Sequence, residues 1–344
     1  ILGYRQPWRV QPGDRTRLPH EQMSDIPEQS SLPIRVATSS CLLGEEVRFN
    51  GGHKHNGYLT KTLARYFELI PFCPEVAIGL GVPRPPIRLV RDGGQVRAVG
   101  VADRTLDVTE DLVEYGRTVS ATLDDVSGYI LKRASPSCGM ERVKIYSEKG
   151  MPVESGAGLF AQTIMHERPL LPTEEEGRLM DPVLRENFIE RVFVYHRWLS
   201  MCRTGLTPAG LVDFHTRHKF SILAHDEVAY RELGQIVAGA GTASLPQLAE
   251  SYATSLMTAM KKRATRKLHS NVLMHIMGFL KDRIDKDDKA ELLEIFEKYR
   301  HGQLPLIVPV TLLKHHLRRH PDPYISRQYY LQPHPEELML RNSL

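Results

Sequence analysis

The chain has 344 residues, 41% hydrophobic and 25% charged, with a formal charge of +4. That length favours two domains over one, and so mild a charge does not by itself call for a nucleic-acid partner. Four cysteines are too few for a secreted disulfide framework, and no run approaches the ~20 apolar residues of a membrane span.

The first residues, ILGYRQPWRVQPGD, lack the apolar core of a signal peptide. A cytoplasmic protein with reduced thiols is expected. Met23 opens MSDIPEQSS as a natural start would, so the residues before it read as an extension, and 1–32 as a disordered segment.

From Leu32 to about Arg168 the chain is rich in Gly, Pro and Val, with short apolar runs between turn signals. IRVAT is the first strand. Tyr58 to Leu69 has helical spacing and leads into a second strand, LIPF. PIRLV and QVRAV flank Asp92-Gly93-Gly94 and predict a hairpin. Val108 to Asp125 predicts a helix that feeds strand GYILK; VKIYSEKGMPV predicts a strand and turn; GAGLFAQTIMHERP predicts a helix with glycines at its mouth. This alternation predicts an α/β, Rossmann-like domain around a mainly parallel sheet, residues 33–168.

From Asp181 onward the pattern is helical. PVLRENFIERVFVYHRWLSMC carries apolar residues near i, i+3, i+4 and i+7, giving a helical linker over 169–206. The segments after Thr207-Pro208 predict an all-α domain over 207–344.

Three cysteines each follow a predicted strand beside Gly, Pro or Ser: Cys41, Cys73 and Cys138. In an open parallel sheet, ligands bind at the carboxyl ends of the strands. Spacing alone leaves two readings: small buried hydrophobes, or a soft-metal site with an open position. No CxxC pair supports a zinc finger. Glu75 lies two residues past Cys73, and Ser135 three before Cys138, so an acid and a hydroxyl would stand near the thiols and could handle protons in a hydrolytic step.

SSCLLG at Ser39 to Gly44, VRFNGGHK at Val47 to Lys54, FCPE at Phe72 to Glu75, SPSCG at Ser135 to Gly139 and GAGLFA at Gly156 to Ala161 resemble the thiouracil desulfidase family, domain of unknown function 523. FHTRHKF at Phe214 to Phe220, NVLMHIMGFLK at Asn271 to Lys281, PLIVPVTLLKHH at Pro305 to His316 and QYYLQPHPEELMLRN at Gln328 to Asn342 resemble domain of unknown function 1722, the YbgA domain. The resemblance implies a [4Fe-4S] cluster on Cys41, Cys73 and Cys138 with one iron lacking a protein ligand. It implies that this iron polarises the C=S bond of thiouracil or a thiolated uracil nucleotide, that Glu75 activates water, and that Ser135 positions or relays a proton. Hydrosulfide leaves without net electron transfer. Cys202 matches none of these motifs.

Other residues carry two readings. The Asn50-Gly51-Gly52-His53-Lys54 loop could cradle a phosphate with Lys54, or be a turn with an exposed charge. Arg48, Arg84 and Arg88 could meet a substrate anion, or cover a solvated face. Gly156 to Phe160 could open a helix N-terminus to an anion, or form a tight turn. In the helical half, His215 and His218 share a face, with His225, His269 and His275 elsewhere; structural hydrogen bonds compete with a metal reading. The basic run Lys261 to Lys267 and the cluster Lys314, Arg318 and Arg319 are solvated faces or phosphate contacts. Tyr324, Tyr329 and Tyr330 pack in the core or stack on bases. An RNA- or protein-binding module with a structural Fe–S or zinc site is therefore the alternative to the enzyme.

Overall fold

The computed structural model describes residues 33–344; the extension expected over 1–32 lies outside the described residues. The chain enters on β1 (Ile34–Ser39) and α1 (Gly57–Lys61), then β2 (Phe67–Phe72) and the single turn α2 (Pro74–Ala77). The helix expected over Tyr58 to Leu69 is thus only a short helix and a 3₁₀ turn, Leu63–Arg65. Strand pairing overrides helical spacing here: Phe67 stands opposite Ile34, and the ladder runs to Ser39 opposite Phe72. Next come β3 (Ile87–Asp92) and β4 (Gln95–Gly100), the expected hairpin. Its two-residue turn has both Gly93 and Gly94 at positive φ, the primed geometry that matches strand twist.

After α3 (Thr109–Ser120) follow β5 (Val126–Leu131), β6 (Val143–Tyr146), β7 (Pro152–Gly156), α4 (Leu159–Glu167) and β8 (Thr173–Glu175). One sheet has the order β2-β1-β5-β8 and is parallel throughout. The second, β4-β3-β6-β7, is mixed, with only β3 and β6 parallel. β8 lies past the boundary expected at 168 and is the edge strand of the parallel sheet.

The two faces of the parallel sheet bury different cores, as a period of two requires. Ala37, Tyr129 and Leu131 pack with Leu89 and Ile145 of the mixed sheet, Leu112 of α3, and Phe160 and Ile164 of α4. Val36 and Ile130 face the other way, onto Phe188, Ile189 and Val192 of α5 (Pro182–Gly205). Asp181 caps α5 by accepting from the Val183 and Leu184 amides, and Pro182 opens it. Glu186 to Val194 are all buried, because α5 lies between the sheet and the helical half.

That half is α6 (Pro208–His225), α7 (Glu227–Ala238), α8 (Leu245–Lys261), α9 (Arg266–Gly278), α10 (Lys286–Arg300) and α11 (Ile307–Arg319), followed by a tail of 3₁₀ turns. Leu338 and Leu340 of the tail return to the core that holds Val36, Leu42 and Phe188. The α/β half and the helical half therefore share a core. Among the described residues, no helix is long and apolar enough to cross a membrane.

Candidate active site

β1 sits inside the parallel sheet, with the chain winding outward to β2 on one side and to β5 on the other. This is the switch point at which open α/β sheets bind ligands. Three loops leave it. Cys41 lies in a 3₁₀ turn directly after β1, Cys73 directly after β2, and Cys138 in the loop after β5. They line one cavity of about 180 Å³, together with Arg48, Phe49, Glu75, Arg84, Lys132, Arg133, Ser135 and Ser137.

All three thiols resist ionisation. Burial pushes Cys41 up to about 11, against the charges of Lys132 and Arg48. Burial pushes Cys138 up to about 12, and the Glu75 carboxylate adds to it. Cys73 is also raised by burial, opposed by the Val76 amide and Arg84. Burial outweighs the neighbouring cations at Cys41 and Cys73, so these thiols lack the lowered pKa of a nucleophilic cysteine. A bound metal deprotonates a thiol outright, so the donor set suits metal ligation better than covalent catalysis. Among the described residues, no three His, Cys, Asp or Glu side chains close on a single metal ion. The three thiols share the lining of one cavity.

A hydrogen-bond chain runs beside the thiols. Ser137 Oγ donates to Glu75 Oε1 at 2.6 Å and lies 2.9 Å from Ser135 Oγ. A carboxylate only accepts, so the chain runs from Ser135 through Ser137 to Glu75. Ser135 Oγ in turn accepts from the Cys138 amide at 3.1 Å, which fixes the loop that carries the thiol. The other Glu75 oxygen takes two contacts from Arg84, Nε at 2.9 Å and the second guanidinium nitrogen at 2.8 Å. This pairing is nearly buried and charge-assisted on both nitrogens.

The loop carrying Ser135, Ser137 and Cys138 rests on the start of α4. Gly158 donates to Gly139 O at 2.8 Å, Leu159 to Pro136 O at 3.1 Å and Ala161 to Ser137 O at 3.0 Å. A Cβ on Gly158 would meet Ser137 C and O, each at 2.6 Å. The glycine expected at a helix mouth is thus a close approach to the Ser137 backbone.

Cys41, Cys73, Cys138, Glu75, Ser135, Arg48 and Arg84 all come to this cavity, whereas Lys54 does not. Lys54 is exposed, and only its backbone amide engages the site, donating to Cys41 O at 2.8 Å. The glycine loop before it closes on itself: Arg48 donates to Gly52 O and Gly51 to Arg48 O. It is a turn, and those two amides are not free to cradle a phosphate. Arg84 is committed to Glu75 rather than to a substrate anion. Ser137, Lys132, Arg133 and Phe49 line the cavity as well, and the sequence reading named none of them as a site residue. Lys132 pairs with Glu176 and favours the Cys41 thiolate.

In the helical half, His215 bonds Tyr252 OH at 3.1 Å and His218 bonds Phe214 O at 2.8 Å. His269 bonds Tyr330 OH at 3.0 Å. These are structural contacts, as is the packing of Tyr330 in the helical core.

Residues 36–176 match the family model described as 2-thiouracil desulfurase, and residues 219–335 match DUF1722, a protein family of unknown function. The chain belongs to the 2-thiouracil desulfurase family, fused to a YbgA-like DUF1722 domain. It is 32% identical to the uncharacterized protein YbgA of Escherichia coli (strain K12) over 154 residues, 44% of this chain and 91% of that one. It is 34% identical to the uncharacterized protein YbbK of Bacillus subtilis (strain 168) over 110 residues, 30% of this chain and 72% of that one. Among solved structures it is similar to the [4Fe-4S]-dependent thiouracil desulfidase TudS, with 30% identity and a TM-score of 0.34, over 43% of this chain and 93% of that one. The family match spans all three cavity cysteines and the Glu75–Ser137–Ser135 chain.

Proposed function

We propose that this chain is a non-redox desulfidase that replaces the sulfur of thiouracil, or of a thiolated uracil nucleotide, with oxygen from water. A C–O bond forms, the C–S bond breaks, and hydrosulfide and a proton leave, so no electron donor is required. Cys41, Cys73 and Cys138 would hold a [4Fe-4S] cluster through three irons. The cluster would supply a Lewis acid that polarises the C=S bond.

The remaining work falls to this chain's own groups. Glu75 takes the proton of the attacking water; it lines the cavity with the thiols, and Arg84 fixes its orientation. Ser137 and Ser135 carry a proton between Glu75 and the substrate, because their hydroxyls already form a chain. Phe49 lines the cavity with the Arg48 guanidinium 5.4 Å from its ring centroid, and this aromatic side chain would contact the pyrimidine. Arg48 and Arg133 line the same cavity and would meet the phosphate of a nucleotide. Residues 33–168 hold the chemistry in this reading, and the helical part, 207–344, contributes Leu338 and Leu340 to the core behind the sheet. Four free thiols suit a reducing compartment, and we place the protein in the cytoplasm.

The observation that carries this reading is the meeting of three thiols from three separate loops with one carboxylate–serine chain at a sheet switch point. Anaerobic reconstitution with iron and sulfide tests it, followed by incubation with 2-thiouracil, 4-thiouracil and thiolated uridine monophosphate. A brown protein that releases sulfide from at least one of them is expected. A fully iron-loaded protein that releases none from any would overturn the reading.

A further inference from the structure

Residues Lys132 to Cys138 line the thiol cavity without a break, so the loop after β5 forms one of its walls. That loop is strained at both ends. Ala134 and Arg142 stand at φ of 58° and 56°, and Met339 is the one other non-glycine residue at positive φ among the described residues. A residue with a Cβ is disfavoured there and persists only where its surroundings hold it. Ser135, Ser137 and Cys138 all lie between the two strained positions.

The hold comes from the edge strand β8 and the residue after it. Glu175 stands in register with Leu131, the last residue of β5, and the Glu176 amide donates to Leu131 O at 3.2 Å. The strand is thus tied to the sheet where the loop leaves it. Glu176 Oε2 accepts from the Arg133 amide at 2.7 Å, directly before Ala134. Its other oxygen pairs with Lys132. Glu175 Oε1 accepts from the Met140 amide at 2.9 Å and from the Glu141 amide at 3.4 Å, directly before Arg142. Arg178 joins Glu174 to the Glu141 side chain, with Nε at 2.6 Å from the first and a terminal nitrogen at 2.9 Å from the second. Each glutamate of the Glu174-Glu175-Glu176 run therefore reaches the loop, directly or through Arg178.

Glu175 shows most clearly what the run is for. It is 3% exposed and forms no ion pair among the described residues. Burial raises its carboxyl, and the Glu141 and Met140 amides oppose that. A buried carboxylate is costly unless it is hydrogen-bonded, and here the loop supplies the bonds. Neither Glu175 nor Glu176 lines the cavity, so both act through the loop.

We propose that Glu175 and Glu176 are positioning residues of the active site: they hold the two ends of the loop in left-handed turns and so set where the Cys138 thiol and the Ser135 and Ser137 hydroxyls stand. The tolerance is small. Ser137 Oγ reaches Glu75 Oε1 at 2.6 Å, and a ~1 Å displacement of a catalytic group costs about a hundredfold in rate. The catalytic consequence rests on the desulfidase reading; the hold on the loop does not.

Alkylation of the full-length chain by iodoacetamide before iron loading, followed by peptide mass mapping, tests the hold without turnover. Cys41 is the internal reference: it is as buried as Cys138, 8% against 6% exposed, but sits in the turn after β1. In Glu175→Ala, Cys138 should react about tenfold faster or more, the weight of one hydrogen bond to a charged group, while Cys41 stays at its wild-type rate. Glu175→Gln keeps an oxygen for both amides and should restore most of the protection. Glu176→Ala should also speed Cys138, and adding Ala134→Gly, which relieves the left-handed turn, should restore part of the protection. On iron-loaded protein, kcat should fall about tenfold or more in Glu175→Ala with KM little changed, and glutamine should recover part of the loss. An unchanged Cys138 rate in Glu175→Ala, equal acceleration of Cys41 and Cys138, or no recovery with glutamine would each overturn the proposal. Should Glu175→Ala fail to fold, Glu176→Ala with and without Ala134→Gly decides, and no recovery with glycine would overturn it. Wild-type protein that loads iron and releases no sulfide would overturn the desulfidase reading alone, with the alkylation ratios still deciding the hold on the loop.

Discussion

Gly158→Ala is the most incisive test of how the thiol cavity is built. The added methyl would stand 2.6 Å from both the carbonyl carbon and oxygen of Ser137, and 2.8 Å from Pro136 O. Real Cβ atoms keep at least 3.0 Å, so the closest contacts fall about 0.4 Å short. Backbone cannot swing aside as a flexible side chain does. Either α4 retreats and loosens Leu159 and Phe160 in the core, or the loop rises and draws Ser137 away from Glu75. Overpacking of this kind costs about 1–3 kcal/mol, and Tm should fall by about 2–4 °C for each kcal/mol lost. Sulfide release should fall by more, because a ~1 Å misplacement of a catalytic group costs about a hundredfold. Gly278→Ala is the control: nothing lies within 4 Å of its added methyl, and alanine favours a helix over glycine. The assays are thermal denaturation, iron content and sulfide release on anaerobically purified protein. A Gly158→Ala protein with wild-type Tm and turnover would refute the account of this loop.

Cys41→Ala, Cys73→Ala and Cys138→Ala should each lose most bound iron, and Cys202→Ala, an exposed position, should retain it; metal analysis per chain decides. Glu75→Gln and Ser137→Ala should keep iron and lose turnover, with Ser137→Thr restoring part of it, and a normal rate in Ser137→Ala would remove Ser137 from the proton path. Glu190→Gln should cost about 3–5 kcal/mol by breaking a buried pair. Burial opposes charge on Glu190, but its hydrogen bond to His225 and the charges of His225 and Arg341 hold it below the ordinary carboxylate range. Its stabilisation is therefore complete above about pH 4.5 and is lost as pH falls through the depressed value, so the acid loss of stability should flatten in Glu190→Gln. A chain ended after Gly205 should be less soluble than the full protein, because it bares Phe193 and Trp198 and removes Leu338 and Leu340 from the shared core; a monodisperse product of wild-type Tm would contradict that.

The order of strands and helices was legible because apolar runs bounded by Gly and Pro announce buried strands. The Gly93-Gly94 pair likewise announces its own turn type. Two elements were not. β2 begins at Phe67, inside a stretch with helical spacing, because its ladder with β1 outweighs local preference. β8 is Thr-Glu-Glu, a poor strand sequence, and it is a strand because Tyr129 to Leu131 of β5 pair with it. Both depend on a partner far along the chain, which a local window does not contain.

The same distinction separates the site residues that were found from those that were missed. Cysteines after strands carry a local signal, since the loop chemistry and the strand are adjacent in sequence. Ser137 carries none that sets it apart from Ser135 two residues earlier; only the approach of Glu75, 62 positions away, shows that Ser137 makes the contact. Arg84 reads as a free cation until Glu75 is seen to hold two of its nitrogens. That pairing changes the chemistry expected of both residues. An arginine whose side chain is 3% exposed and bonded to a carboxylate cannot also clamp a substrate phosphate. The cavity cations left to meet a nucleotide are Arg48 and Arg133, neither of which pairs with a carboxylate among the described residues. If phosphate recognition belongs to them, loss of either should raise KM for the nucleotide and leave the free base unaffected. Loss of Arg84 should instead lower kcat for base and nucleotide alike.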